Sequence, residues 1–186
     1  TEQQRQRLLP TVCDVFSELG YRRTTTAKLA ERCKVRENIL YRLWRDKKAM
    51  FLASIEDIYQ RRAQTWKEVL ADPADPRSAS QRLIDYEAEH QGEFGFYRVV
   101  FTALAETDDP DIRAALTRMY RGFHELIRAQ LESERPTESK PVLPADEAAW
   151  GLIGLATVSN IVRQLDLLRP LKREQMFLAV AKCLTA

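Results

Sequence analysis

Three polar side chains recur on one face of a short predicted helix, where they could recognise another polar surface. Asn38, Tyr41 and Arg42 follow the i, i+3, i+4 spacing that places side chains on one side of an α-helix. Amide, phenol and guanidinium groups form hydrogen bonds with phosphate oxygens and with the edges of adenine and guanine. This face therefore favours recognition of double-stranded nucleic acid, and an ordinary solvated helix face is the alternative.

The neighbouring residues predict how that helix is presented. Thr25 is the predicted N-cap of a preceding helix, the turn falls near residues 33–35, and the second helix covers about residues 36–44. Its predicted buried side carries Leu40, Leu43 and Trp44. Two short helices joined by a tight turn can place the second helix in the major groove of DNA.

Two lysines at the start of the next helix predict an anion site. Asp46 is the predicted N-cap of that helix, which places Lys47 and Lys48 in its first turn. Cations at this position oppose the helix dipole, so a sequence selected only for stability would avoid them. Together with free backbone N–H groups they could bind a DNA phosphate. The alternative is that both are ordinary surface lysines.

Residues 20–51, GYRRTTTAKLAERCKVRENILYRLWRDKKAMF, resemble the N-terminal DNA-binding domain of the TetR family of transcriptional regulators. The resemblance extends over about residues 5–60 and is carried by Phe16, Gly20-Tyr21, Thr24-Thr25, Leu29-Ala30, Lys34-Val35-Arg36, Leu40-Tyr41, Trp44, Lys47 and Met50. It implies an all-α chain of nine helices. Residues 1–47 would form a three-helix helix-turn-helix DNA-binding domain, and residues 48–186 a six-helix ligand-binding and dimerisation domain. Helix 4, from residue 46, would link the two.

The resemblance also implies a function. It predicts a homodimer that binds a near-palindromic operator in double-stranded DNA and represses until a small-molecule effector of unknown identity releases it. Thr25, Tyr41 and Lys47 occupy the family's phosphate-contacting positions. With the outward helix face and its flanks, the predicted DNA-binding residues are Thr25, Thr26, Arg36, Glu37, Asn38, Ile39, Tyr41, Arg42, Arg45, Lys47 and Lys48.

Three positions depart from the family pattern. Lys34 stands where a turn glycine is usual, so its backbone must adopt a left-handed conformation or turn differently. Arg36 replaces the usual serine or threonine cap, which weakens the cap and adds a cation. Ile39 replaces a residue that is often threonine or small; it could touch a thymine methyl group or belong to the core.

Charge is distributed unevenly along the 186 residues. Residues 1–62 hold 14 Lys and Arg against 8 Asp and Glu, a net charge of +6, whereas residues 63–186 hold 15 against 19, a net charge of −4. Positive charge is thus concentrated where phosphate binding requires it. Cysteines without a pairing or metal pattern, and no apolar run long enough to cross a bilayer, predict a cytoplasmic protein without a membrane partner or cofactor.

Apolar periodicity and breaker residues predict the remaining helices. They cover about residues 46–70, 78–91, 96–106, 110–135, 147–168 and 172–184. Gly20 is predicted to end the first helix, Asp146 to cap the eighth and Pro170 to end it. Gly92 and Gly95 mark a predicted break, and the proline-containing residues 133–146 a predicted loop.

The eighth predicted helix carries apolar residues on more than one face, too many for a helix with a single neighbour. Its glycines would permit another helix to approach closely. We therefore predict a twofold dimer interface. Its residues would be Gly151, Gly154, Leu155, Val158, Ile161, Val162 and Leu165, with Phe177 and Val180 of the last helix. A helix buried within the monomer is the alternative.

The resemblance further implies a ligand cavity between the fourth, seventh and eighth helices. Candidate lining residues are Trp66, Tyr86, His90, Tyr97, Phe101, Tyr120, Phe123, His124, Trp150 and Asn160. Aromatic residues at helical spacing are more often core, so the polar His90, His124 and Asn160 are the better candidates, although the backbone could satisfy each. Glu87 and His90 share a helix face, but no second pair accompanies them, and no metal site is predicted.

Two other classes of function fit the sequence less well. An enzyme would need paired catalytic acids, a phosphate-binding glycine loop or a nucleophile with a histidine partner, and the sequence contains no such motif. A helical interaction module, whose basic head binds an acidic protein or an anionic lipid rather than DNA, is the principal alternative.

Overall fold

The computed structural model describes residues 1–72, 74–90, 96–134 and 143–185. These residues form nine helices and no strand, which confirms the all-α prediction. The helices are α1 (Glu2–Arg23), α2 (Thr26–Arg32), α3 (Glu37–Leu43), α4 (Lys47–Ala71), α5 (Ala79–Glu89), α6 (Phe96–Leu104), α7 (Pro110–Glu134), α8 (Ala145–Gln164) and α9 (Pro170–Thr185). The predicted break at Gly92 and Gly95, and most of the loop predicted at 133–146, lie outside the described residues. Among the helices described, none combines the length and apolar character needed to cross a membrane.

Gly20 interrupts α1 but does not end it. Its φ of 75° and ψ of 168° lie in a region open essentially only to glycine. The helix resumes after this kink and continues to Arg23. Thr24 follows as the C-cap, and its hydroxyl donates a hydrogen bond to the carbonyl of Gly20 at 2.7 Å. The regular helix thus stops at Gly20 as predicted, but with a ψ that is not that of the left-handed C-cap expected, and a further helical turn continues α1 to Arg23.

The boundaries of α8 also differ from the prediction. The helix ends at Gln164 rather than Leu168, because Asp166 adopts a left-handed conformation with a φ of 52°. The amides of Asp166 and Leu167 then bond to the last free carbonyls of the helix at 3.1 and 2.9 Å, which closes a Schellman cap. At the other end, Asp146 lies inside the first turn and Pro144 is the N-cap, so the predicted cap at Asp146 is wrong.

Pro170 begins α9 and does not end α8, contrary to the prediction. Proline suits the first position of a helix because the N–H that it lacks would have no partner within the helix.

One compact unit comprises Thr1–Arg61 and Phe94–Met119. Its interior contains a cluster of three rings, in which the Phe51 centroid lies 4.9 Å from that of Phe16 and 4.8 Å from that of Tyr21. Within this unit α1 packs against α6 and against both helices of the helix-turn-helix. The compact unit that holds the helix-turn-helix thus contains more than residues 1–47. The division into a DNA-binding domain and a ligand-binding and dimerisation domain stays a prediction.

The second compact unit comprises Arg62–Glu93 and Tyr120–Ala186. In it α9 packs against α8 and α5. One core cluster contains Trp66, Leu83, Ile127, Leu131, Ala145, Ala148 and Ala149. Another contains Ile84, Ala88, Leu155, Phe177 and Ala181. The alanines allow the helices of this unit to pack closely.

Candidate nucleic-acid interface and ligand cavity

The turn between α2 and α3 is fixed by backbone hydrogen bonds. The amide of Lys34 donates to the carbonyl of Glu31 at 3.1 Å, and the amide of Val35 donates to that of Ala30 at 3.0 Å. This is a Schellman cap, which requires a left-handed residue at its first position past the helix. Lys34 supplies it with a φ of 55°. The lysine therefore takes the conformation for which the family pattern uses glycine.

Side chains that can accept a hydrogen bond cap α2 and α4, and one that cannot stands at the start of α3. Thr25 accepts a hydrogen bond from the amide of Lys28 at 3.2 Å, and Asp46 accepts one from the amide of Ala49 at 2.7 Å. Both predicted N-caps are confirmed. Arg36 is the N-cap of α3 and makes no side-chain cap hydrogen bond. Its guanidinium is therefore free of a capping role and stays on the exposed side of the chain.

The α3 helix turns its apolar side inward and its polar side to solvent. Leu40, Leu43 and the adjoining Trp44 are buried. Tyr41 is 50% exposed. The side chains of Arg36, Glu37, Asn38 and Arg42 are also exposed, while Ile39 is half-buried at the seam. The predicted trio of Asn38, Tyr41 and Arg42 thus shares one accessible face.

Hydrogen bonds between α2 and α3 orient this face. The Tyr41 hydroxyl donates to Oγ1 of Thr26 at 3.1 Å. The Thr26 hydroxyl in turn donates to Oε2 of Glu37 at 2.7 Å. One Arg42 nitrogen donates to Oε1 of Gln4 at 3.0 Å. These hydrogen bonds are exposed to solvent, so they can be exchanged for bonds to phosphate or base atoms at little desolvation cost.

The N-terminus of α1 contributes to the site in a way that sequence reasoning missed. Gln4 holds Arg42, and Arg5 donates to the carbonyl of Leu43 while its guanidinium carbon lies 5.8 Å from the centroid of the Trp44 ring. These contacts fasten the end of α3 to α1. No spacing signal in the sequence connects residues 38 positions apart, so only the fold reveals them.

Lys47 already has hydrogen-bond partners within its own unit. Its Nζ donates to the carbonyls of Tyr21 and Thr24 at 3.0 and 3.1 Å and lies 4.4 Å from the centroid of the Tyr21 ring. Unpaired carbonyls at a helix C-terminus attract cations, so Lys47 stabilises the end of α1. The predicted contact of Lys47 with a phosphate stays a prediction. To make that contact, Lys47 would have to share or break its hydrogen bonds to the two carbonyls.

Lys48 is also engaged. Its Nζ lies 3.1 Å from a carboxylate oxygen of Asp109 and 2.6 Å from one of Asp111. These hydrogen bonds, the one to Asp111 first, raise the pKa of the Lys48 ammonium group above its usual value. The anion site predicted in the first turn of α4 is therefore occupied by carboxylates of the same unit. A phosphate would have to displace them.

Arg45 is almost fully accessible to solvent. Its side chain is 93% exposed, and its Nε lies 3.6 Å from Oδ2 of Asp46. Such an exposed pair holds the side chain only weakly. Arg45 can therefore turn towards a phosphate from its position beyond the end of α3.

A cavity of about 80 Å³ lies within the second unit. Of the ten predicted lining residues, Trp66 and Phe123 line it. The full lining consists of Trp66, Ser80, Leu83, Ile84, Glu87, Phe123, Ile127, Gln130, Leu131, Leu152, Ile153, Ala156 and Phe177. Most of these residues come from the apolar sides of α5, α7 and α8, so the wall is predominantly apolar.

The three predicted polar candidates do not line this cavity, and backbone carbonyls satisfy them. Nδ1 of His90 lies 2.9 Å from the carbonyl of Tyr86, and Nε2 of His124 lies 3.2 Å from that of Asp146. Asn160 donates to the carbonyl of Ala156 at 2.7 Å. The alternative of a backbone-satisfied polar group therefore describes all three.

The remaining predicted lining residues also lie away from this cavity. Tyr97 and Phe101 contact each other in the first unit, with centroids 6.2 Å apart. In the second unit Tyr86 stacks on His90 at 4.1 Å, and Trp150 stacks on His124 at 4.5 Å. Tyr120 is half-buried, and its partial removal from water raises the pKa of its hydroxyl. Trp150 is 45% exposed, and helical spacing alone could not show which of these aromatic groups lie beside the cavity.

Glu87 lines the cavity, a position that the sequence did not predict for it. It lies on the buried stripe of α5 with Leu83, Ile84 and Ala88. A carboxylate on an otherwise apolar helix face is a signal that could have identified it, because burying an acid is costly unless it has partners.

The apolar surface of α8 and α9 contains most of the predicted dimer residues. Val158, Ile161, Leu165 and Val180 are 51, 40, 63 and 40% exposed, and a Cβ added at Gly154 would meet no atom within 4 Å. Val162 is half-buried. Leu167 and Leu171 extend this exposed apolar surface at the turn between the helices.

Three predicted interface residues serve the chain's own core instead. Leu155 and Phe177 are buried in one cluster with Ile84. A Cβ on Gly151 would lie 2.9 Å from a methyl carbon of Leu184. These three are corrected from interface to core, because α9 covers that side of α8.

The geometry of α2, the turn and α3 is that of a helix-turn-helix, an arrangement that can present its second helix to a DNA groove. Residues 11–54 match the family model described as bacterial regulatory proteins, tetR family. The N-terminal domain is thus a TetR-family domain, and the resemblance noted in the sequence is confirmed.

Solved structures share the fold over almost the whole chain. A protein from Saccharomonospora viridis, described as a transcriptional regulator in complex with choline, is 17% identical with a TM-score of 0.81, covering 98% of this chain and 97% of its own. Escherichia coli NemR in its reduced form is 21% identical with a TM-score of 0.79, covering 97% and 96%. A TetR-family transcriptional regulator from Streptomyces coelicolor is 17% identical with a TM-score of 0.80, covering 100% and 95%. These likenesses establish the TetR-like fold. No curated protein is similar enough in sequence to match.

Proposed function

We propose that the chain is a homodimeric transcriptional regulator that binds a near-palindromic operator in double-stranded DNA and represses until a small molecule releases it. The observation that carries the proposal is the exposed polar face of α3, held by a Schellman turn in a TetR-family domain. That face has the size and the donor and acceptor groups that the major groove requires.

The side chains divide into groups that read bases and groups that hold phosphates. Asn38 is suited to adenine and Arg42 to guanine, since an amide and a guanidinium can each bond twice to those edges. Tyr41, Thr25 and Arg45 are placed to contact phosphates beside the groove. Ile39, at the seam, is suited to a thymine methyl group.

Dimerisation through α8 and α9 supports the palindrome. Exposed Val158, Ile161 and Leu165 form a self-complementary apolar stripe when two copies meet across a twofold axis. The same axis relates two α3 helices, which would enter major grooves about 34–36 Å apart or somewhat more.

The cavity of the second unit is the candidate effector site. A relative of the same fold has been solved with choline, which supports a small molecule as the class of effector. Release from DNA requires that the ligand bind better to a dimer whose DNA-binding heads do not match the operator spacing. The effector then acts by shifting the population of dimers.

Selection of bound sequences from a random DNA pool tests the proposal directly. We expect enrichment of one near-palindromic sequence. On that sequence Arg42→Ala should lower discrimination at one base pair by about tenfold or more. Arg45→Ala and Tyr41→Ala should instead weaken binding to all sequences, and Arg45→Ala should reduce the salt dependence by about one phosphate contact. Enrichment of no sequence, or unchanged binding in all three variants, would show that α3 is not a DNA-binding surface.

A further inference from the structure

The few polar residues that line the cavity of the second unit restrict the chemical class of ligand that it can bind. Ten of its thirteen lining residues are apolar, and the three polar ones are Ser80, Glu87 and Gln130. The amide nitrogen of Gln130 already donates to Oε1 of Glu134 at 3.0 Å. The carboxylate of Glu87, the hydroxyl of Ser80 and the side-chain carbonyl oxygen of Gln130 are therefore the polar groups that a ligand can meet.

Glu87 has hydrogen-bonding capacity to spare. Its side chain is only 10% exposed, and its Oε1 accepts a hydrogen bond from Nε1 of Trp66 at 2.7 Å. Nη1 of Arg62 lies 3.5 Å from the same oxygen. A carboxylate offers about four acceptor positions and no donor when ionised. A group that enters the cavity can therefore be a donor to Glu87.

Ser80 adds a second unfilled group. Its Oγ is buried and has no hydrogen-bond partner among the described residues, whereas its amide donates to Glu134 at 3.0 Å. A buried hydroxyl without a partner costs free energy that a polar ligand atom would recover. Ser80 and Glu87 both lie on the lining.

The charge near the cavity selects a neutral ligand. Arg62 balances the charge of Glu87 and is not itself a lining residue. A cationic ligand would add a second positive charge beside that guanidinium, and an anionic ligand would face the carboxylate. The Trp66 and Phe123 rings, with centroids 4.9 Å apart and planes tilted by 49°, favour a flat apolar body.

We propose that the cavity binds a small neutral aromatic molecule of the phenol type, whose hydroxyl donates to Glu87 and whose ring packs against Trp66 and Phe123. A cavity of about 80 Å³ requires a small ligand. The inference rests on the proposed function, in which this cavity is the effector site. It adds the chemical class of the effector.

Fluorine NMR titration of the full chain with three matched probes tests the proposal. The probes are 4-fluorophenol, its methyl ether 4-fluoroanisole, and 4-fluorobenzoate. We expect saturable binding of 4-fluorophenol, about tenfold tighter than that of the ether, because the lost hydrogen bond would have been to a charged acceptor. Benzoate should bind most weakly. Equal binding of phenol and ether, tighter binding of benzoate, or no saturable phenol binding up to its solubility limit would overturn the proposal.

Two variants locate the binding site. Glu87→Gln should reduce the preference for phenol over the ether to threefold or less, on the order of the difference expected for a neutral acceptor. Ala156→Leu should weaken both probes by filling the cavity. Unchanged binding of all probes in both folded variants would place the phenol site elsewhere and overturn the proposal, and the wild-type comparison does not depend on their folding.

DNA binding is measured separately, so the two proposals can fail independently. If 4-fluorophenol binds as expected but leaves the DNA complex intact, the ligand class stands and the regulatory role of the cavity fails. If the selected operator is released by a compound that does not compete with 4-fluorophenol, the regulator stands and the inference about the cavity fails.

Discussion

The surfaces of α3 and of α8 with α9 are exposed for opposite physical reasons. On α3, Tyr41 and Arg42 make solvent-exposed hydrogen bonds to Thr26 and Gln4, so this surface is stable in water and can exchange those bonds for bonds to phosphates and bases. On α8, Ile161 and Leu165 present apolar area that gains free energy when another apolar surface covers it. The first surface therefore suits a charged polymer, and the second suits a copy of itself.

The most severe way to break this comparison is to place a charge on the apolar stripe. Ile161→Glu would bring two carboxylates together at a twofold interface, where burial without a counter-charge is costly. We expect the dimer dissociation constant to rise by at least about 100-fold, since such burial costs several kcal/mol. Sedimentation over a range of protein concentrations measures it.

A matched variant separates this effect from loss of fold. Ala114→Glu adds the same side chain to an exposed position of α7 and should leave association unchanged. Circular dichroism should show equal helix content in both variants, because Ile161 is 40% exposed within its own chain. If Ile161→Glu dimerises with the same dissociation constant as the wild type, α8 is not part of the interface.

The two glycines of α8 offer a sharper test, because they differ only in which side they face. A Cβ added at Gly154 meets no atom within 4 Å, and leucine favours a helix over glycine by about 0.8 kcal/mol, so Gly154→Leu should not destabilise the monomer. In the dimer the added side chain would hold the two helices apart, with an expected loss of about tenfold in association. The melting temperature of Gly154→Leu should not be lower than that of the wild type at protein concentrations where both proteins are monomeric.

Gly151 supplies the contrasting case. In Gly151→Ala the new methyl group would lie 2.9 Å from a side-chain carbon of Leu184, so the packing of α8 on α9 must adjust. We expect this variant to alter unfolding and to leave association nearly unchanged. A reversal of the two phenotypes would mean that the faces of α8 have been assigned the wrong way round.

The sequence predicted the first surface better than the cavity, and the reason lies in the range of the contacts. Thr25, Asp46 and the turn at Lys34 act on backbone atoms within five residues, so spacing alone fixes their roles. The cavity depends on which sides of separate helices meet. Glu87 and Trp66 are 21 residues apart and bond directly, a contact that no local pattern encodes.

Polar residues on apolar helices misled the prediction for a related reason. His90 and Asn160 were candidates because they interrupt apolar runs, yet each bonds to a carbonyl four residues earlier in its own helix. The partners of Lys47 and Lys48, the end of α1 and the start of α7, were missed because they are distant in sequence. In each case the missing information was the identity of a partner.

The carboxylates around Lys48 allow the charge of the first surface to be adjusted without touching α3. The double substitution Asp109→Asn and Asp111→Asn would release the Lys48 ammonium group and remove two negative charges. We expect DNA affinity to rise several-fold at low salt, with a salt dependence steeper by about one phosphate contact. Fluorescence anisotropy with labelled operator at several salt concentrations measures both quantities.

Asp108→Asn is the control for that experiment. It removes a negative charge from the same segment, and Asp108 is exposed. A general charge effect would make its affinity gain about half that of the double variant. A contribution from Lys48 itself would appear as a larger change in salt dependence only when Asp109 and Asp111 are both replaced.

The smallest expected effect concerns the turn that presents α3. Lys34 has a left-handed backbone conformation, which costs a residue with a Cβ about 1–2 kcal/mol of folding free energy. Glycine avoids this cost, but it loses more conformational entropy on folding, which cancels part of the advantage. Lys34→Gly should therefore be more stable than Lys34→Ala by about 1 kcal/mol in urea unfolding at one protein concentration. Both substitutions remove the same charge, so their DNA affinities should fall equally. A difference in base preference between them would mean that the strain at Lys34 positions α3, and that the polar surface depends on its turn as much as on its side chains.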